Sequence, residues 1–97
     1  MRSKRDTILE RLRAGLPALR REFPLRRMAL FGSIVRDDAT DGSDIDILVD
    51  VDPSIGIGFV TLADRLEELI GHKVDLISQR AIEPRLWKAI EPELVDV

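Results

Sequence analysis

Leu30-Phe31-Gly32-Ser33, followed by Ser43-Asp44-Ile45-Asp46-Ile47-Leu48-Val49, is the stretch whose reading decides the fold. It reads as a buried strand ending in a Gly-Ser turn, a short helical piece, and a second strand that carries two aspartates. Side chains alternate faces along a strand. Ile45, Ile47, Val49 and Val51 therefore make one apolar face, the core side, and Asp44 and Asp46 share the other. A third carboxylate, Asp75, stands inside the later apolar run Lys73-Val74-Asp75-Leu76-Ile77. Acidic residues in strands are locally unfavourable, and neighbouring carboxylates repel unless a cation lies between them. A hard divalent metal resolves that conflict, and its simplest use beside a Gly-Ser turn is phosphate chemistry.

Working outward, Ile8, Leu12, Leu16 and Leu19 recur at helical spacing over residues 7–23. Gly15 and Pro17 predict a kink or break in that helix, and Pro24 ends it. Met28 to Phe31 is a short strand, and residues 34–38 make one or two helical turns. Ala39-Thr40-Asp41-Gly42-Ser43 is a loop of turn formers. A calcium loop is excluded there. From Asp37 the twelfth position is Leu48 rather than Glu, and from Asp41 the sixth is Asp46 rather than Gly. After a flexible connection over residues 52–58, Phe59, Leu62, Ala63, Leu66, Leu69 and Ile70 mark a helix capped by Gly71. Strand three spans residues 74–77. A last helix spans 83–91, with Ile82, Leu86, Ala89 and Ile90 on its apolar side. Pro92 stops it, and Leu94 to Val97 reads as an edge strand or contact. The order is αβαβαβα, an α/β fold around a small sheet. Asp37, Asp38, Asp41, Asp50 and Asp52 read as solvated, His72 as a surface residue and Trp87 as packing or a partner contact rather than a base-stacking platform.

The 97 residues, 44% hydrophobic and 34% charged, suit one small domain. The expected layout is a basic helical segment over 1–24 and a core over 26–97. With no cysteine, disulfides and thiolate metal sites are excluded. No apolar run reaches the ~20 residues of a membrane span and no signal-peptide pattern opens the chain, so a cytoplasmic protein is expected. Net charge is −3. Residues 1–27 carry nine basic and three acidic residues, a balance of +6, which leaves −9 for the remainder. No aromatics are interleaved among those arginines for base stacking, and the acidic remainder argues against a general nucleic-acid binder.

Gly32-Ser33, Asp44-Ile45-Asp46 and the isolated Asp75, in that order and each on its own element, resemble the nucleotidyltransferase superfamily that includes DNA polymerase beta. The small size and the wording "LFGSIVR" and "SDIDILV" look most like minimal nucleotidyltransferase (MNT) domains, antitoxin partners of HEPN-domain toxins. The likeness runs from about Met28 to the end. It implies a mixed sheet and a hetero-oligomer with a HEPN toxin. It also implies transfer of AMP from ATP to a protein hydroxyl, a tyrosine of that toxin. Two Mg²⁺ ions would be held by Asp44, Asp46 and Asp75, with in-line attack on the α-phosphate. Gly32, Ser33 and Arg36 would meet the triphosphate. Such domains often have Arg-Gly after the turn; here Asp37 stands in place of the glycine and adds negative charge near the phosphate path. Two other readings stay open: a module that neutralises a partner stoichiometrically, and nucleotide addition to RNA or a small molecule.

Overall fold

The alternation read in the second strand governs the whole sheet. The computed structural model describes residues 2–40 and 42–97. Helix α1 (Lys4–Glu22) leads into strand β1 (Leu25–Phe31), the one-turn helix α2 (Ser33–Arg36) and strand β2 (Ile45–Val51). Helix α3 (Gly58–Ile70), strand β3 (Val74–Ser78), helix α4 (Pro84–Ile90) and strand β4 (Val95–Asp96) follow. The sheet order is β3-β2-β1-β4. β1 runs antiparallel to both β2 and β4, whereas β2 and β3 are parallel. The sheet is mixed, as the resemblance implied.

Ile45, Ile47, Val49 and Val51 are all buried and pack with Met28 and Leu30 under α1 and α3, which contribute Ile8, Leu12, Leu19, Leu62, Leu66 and Ile70. The other face of β2 is divided along its length. Asp46 is half-buried, but Leu48, next on the same face, is fully buried with Phe31 and Ile90. Trp87 and Ile82 pack onto this second cluster, so Trp87 is a packing residue. The apolar side assigned to α4 needs correction: Leu86 is 52% exposed and Ala89 is exposed. Trp87, which the spacing left off that side, turns inward with Ile90, three residues further along the helix, and its ring adds to the cover over Phe31 and Leu48.

The expected break in the first helix is absent; α1 runs unbroken through Gly15 and Pro17. Ser3 caps its start, its hydroxyl accepting from the Asp6 N–H at 3.1 Å. Gly15 is where α1 accommodates α3, since a Cβ there would lie 2.6 Å from Leu69 Cδ2. Pro17 is exposed, and the packing of Leu12 and Leu19 on either side carries the helix across the hydrogen bond that proline cannot make. The basic segment is fastened onto the domain: Arg11 donates to the Ile70 carbonyl at 3.1 Å, at the C-terminal end of α3, and Arg13 to the Asp96 carbonyl at 3.1 Å. Among the described residues, no helix is long and apolar enough to cross a membrane.

Because Pro17 is exposed and withholds a donor from the Arg13 carbonyl, Pro17→Ala should stabilise the fold by about 1–3 kcal/mol, read as a higher urea midpoint at unchanged slope.

Candidate active site

Topology brings the two halves of the motif to one end of the sheet. β2 and β3 are parallel and both start there, while β1 is antiparallel and ends there. Asp46 and Asp75 are register partners on adjacent strands, so their side chains share a face. Phe31, the residue before Gly32, is the partner of Asp46 on the other side. Asp44 immediately precedes β2 and is exposed, as is Asp75. The Asp46 carboxyl is held above the ordinary carboxylate range, first by its burial and then by repulsion from Asp75 and Asp44. Arg36 opposes that shift.

Gly32 is required where it stands. Its backbone has φ 78° and ψ −151°, a combination open to glycine, and a Cβ would fall 2.1 Å from Asp46 Oδ2. Its carbonyl accepts from the N–H groups of Val35 at 3.0 Å and Arg36 at 3.1 Å, so α2 is a single turn hung on the glycine. Ser33 opens that turn, half-buried, and Arg36 closes it. Asp37 takes the left-handed conformation (φ 62°). The helix exit is thus kept without glycine, since aspartate tolerates that region better than most residues.

Arg36 does not stand free. Its Nε donates to Asp38 Oδ2 at 3.4 Å, and its Nη1 donates to Glu93 at 3.3 Å. Both carboxylates raise the guanidinium pKa. Glu93 also accepts from the Gly32 N–H at 3.1 Å. No local pattern in the sequence marks Glu93, which reads as one of several carboxylates around the end of α4. Among the aspartates read as solvated, Asp37 and Asp38 are exposed. Asp50 and Asp52 lie near Arg26, with Arg26 Nη2 donating to Asp52 Oδ2 at 2.8 Å. Asp41 lies outside the described residues. A hollow of about 280 Å³ between α1 and α3, lined by Gly15, Ala18, Leu19, Glu22, Arg65, Glu68 and Leu69, includes none of the motif residues.

The donor chemistry fits a hard divalent cation. All three ligand candidates are carboxylates, two of them in register, and the repulsion that raises the Asp46 pKa is what a cation between them would remove. As they stand, no three His, Cys, Asp or Glu side chains among the described residues are gathered closely enough to hold one. Asp44 and Asp75 are both exposed.

A mixed four-stranded sheet that sets a Gly-Ser turn against paired aspartates defines a minimal nucleotidyl-transfer domain. The chain belongs to the nucleotidyltransferase domain family, whose pattern it matches over residues 12–97. It is 39% identical over 88 residues to the protein adenylyltransferase MntA of Thermococcus cleftensis, covering 89% of this chain and 88% of that one. A solved minimal nucleotidyltransferase superposes with a TM-score of 0.80 at 31% identity, over 96% of this chain and 95% of its own. A further likeness, at TM-score 0.58 and 26% identity over 96% of this chain and 67% of the other, is to the complex of a tri-AMPylated Shewanella oneidensis HEPN toxin with its MNT antitoxin.

Two outcomes are expected. Gly32→Ala forces a strained φ and pushes Asp46 aside, which should cost about 1–3 kcal/mol of stability and abolish nucleotidyl transfer. For Asp46, a raised pKa means that the folded state binds the proton more tightly than the unfolded chain does. The penalty on stability is therefore absent below the ordinary carboxylate range and grows as pH rises through the elevated value. In chelator, Asp46→Asn should thus raise the unfolding temperature at pH 7 and change it little at pH 3, as calorimetry at both pH values would show.

Proposed function

We propose that this chain is a protein adenylyltransferase: it transfers AMP from ATP to a hydroxyl of a partner protein, a tyrosine of a HEPN-type toxin, and acts in the cytoplasm as that toxin's antitoxin. The observation that carries the reading is the pairing of Asp46 with Asp75 directly against the Gly32-Ser33 turn. The protein and adenylyl parts of the reading are supported by the Thermococcus relative and by the AMPylated HEPN complex.

In this reading Ser33 and the backbone N–H groups after Gly32 orient the triphosphate, and Gly32 admits it closely because no side chain intervenes. Arg36 adds positive charge beside the phosphates. Asp44, Asp46 and Asp75 would hold two Mg²⁺ ions, which when bound supply charge neutralisation and polarisation of the α-phosphate. The acceptor oxygen bonds to the α-phosphorus as the bond to pyrophosphate breaks, and Asp75, at the exposed edge of the group, is placed to take the hydroxyl proton. Arg36, Asp44 and Asp75 are exposed, which suits an acceptor delivered by a protein. Helix α4 lies on the same sheet face as Asp46 and leaves Leu86 52% exposed, an apolar contact for such a partner.

The test is label transfer from α-labelled ATP with Mg²⁺ to proteins of the native host. Wild type should label one small protein, and Asp44→Ala/Asp46→Ala should lose about a hundredfold or more of that activity while remaining folded. Protection of cells from the toxin by the folded double mutant would instead establish stoichiometric neutralisation, and label on RNA alone would replace the protein acceptor.

A further inference from the structure

The C-terminal turn brings a fourth carboxylate to the nucleotide end of the sheet. β4 pairs with β1 so that Val95 lies opposite Leu30. Continued beyond both strands, that antiparallel register sets Glu93 across from Gly32. The side chain closes the gap: the Gly32 N–H donates to Glu93 Oε1 at 3.1 Å. Arg36 Nη1 donates to the same carboxylate, at 3.3 Å to Oε1 and 3.5 Å to Oε2. Gly32 thus meets Asp46 where a Cβ would stand and Glu93 through its N–H.

We infer that Glu93 is a positioning residue for the nucleotide site, holding the Gly32-Ser33 turn and Arg36 in the arrangement that receives the triphosphate. The inference rests on the reading above that assigns this turn to the phosphates. Three features separate the contact from an ordinary surface ion pair, which contributes little. One partner is the backbone of a glycine in a conformation other residues avoid, so the bond defines the turn's orientation. The same carboxylate joins both ends of α2, because Gly32 caps its start and Arg36 is its last residue. Finally, β4 is only two residues long, too short to add much to the sheet, yet its pairing is what delivers Glu93. Arg36 is held from Asp38 as well, at 3.4 Å. Its long side chain is therefore restrained before a ligand arrives, and less freedom is lost on binding.

The experiment is calorimetric titration of the full chain with Mg²⁺ and ATP, without acceptor. Wild type is compared with Glu93→Ala, Glu93→Gln and, as a control for net charge, Glu91→Gln. Glu93→Ala should weaken binding about three- to tenfold, the effect of one or two lost hydrogen bonds. Glu93→Gln, which keeps an acceptor for the Gly32 N–H, should fall between it and wild type, and Glu91→Gln should bind as wild type does. Melting curves separate this from a purely structural role, which would lower the unfolding temperature without moving the affinity of the folded protein. If Glu93→Ala does not fold, the Glu93→Gln comparison decides. Folded Glu93 variants that bind as tightly as wild type overturn the inference. Tighter binding also overturns it, and would make Glu93 a competitor of the phosphates. An equal loss in Glu91→Gln does the same by reducing the effect to charge. Failure of wild type to bind ATP removes the nucleotide site itself, whereas tight wild-type binding with indifferent Glu93 variants removes only the role of Glu93.

Discussion

Two carboxylates are held side by side where like charges would rather part. The parallel pairing of β2 with β3 places Asp46 next to Asp75, and the pairing of β1 with β2 returns the Gly-Ser turn to the same point. Burial first, and then that repulsion, raises the Asp46 pKa. The repulsion is sustained by the reverse face of the same strand, where Ile45, Ile47 and Val49 are completely buried. Each such side chain contributes roughly 1.5–3 kcal/mol on burial, enough together to outweigh an unfavourable pair of charges at the strand's edge. Core and site are thus two faces of one strand, and slipping its register by one residue would exchange them.

The polar face of β2 changes its neighbour at every step. Asp46 borders the Gly-Ser turn, Leu48 is sealed by Phe31 and Ile90, and Asp50 reaches toward Arg26. Helix α4 covers only the middle of that face. Without α4, which contributes Ile90 and Trp87, the Phe31–Leu48 cluster would lie open. The span of α4 is short, started by Pro84 and followed by a 3₁₀ turn over Glu91–Glu93, and Asp44 and Asp75 at the acidic end of the sheet are exposed.

The basic N-terminal segment has a mechanical role. Its arginines reach the C-terminal end of α3 and the last strand, and Arg27 pairs with Asp96 at 2.8 Å. Exposed pairs of this kind add little individually. The apolar stripe of α1 does most of the holding, with Ile8 and Leu12 almost wholly removed from water, and the arginines set where the helix lies.

The sequence by itself determined the local grammar: alternation in β2, the glycine demanded at the turn, the three aspartates, and the helices ended by Phe23-Pro24 and Gly71. These were legible because each depends on near neighbours, on whether a side chain points in or out and on which backbone angles a residue accepts. Only the tertiary structure decided the rest. Continuity of α1 through Pro17 depends on packing against elements distant in the chain. The inward place of Trp87 over Leu86 depends on where α4 lands on the sheet. The register of Asp46 with Asp75, and the arrival of Glu93 at Gly32, depend on which strands pair and in what direction. Pairing joins residues far apart along the chain, and no local pattern of side chains carries that information, so these contacts exist only once the sheet has closed.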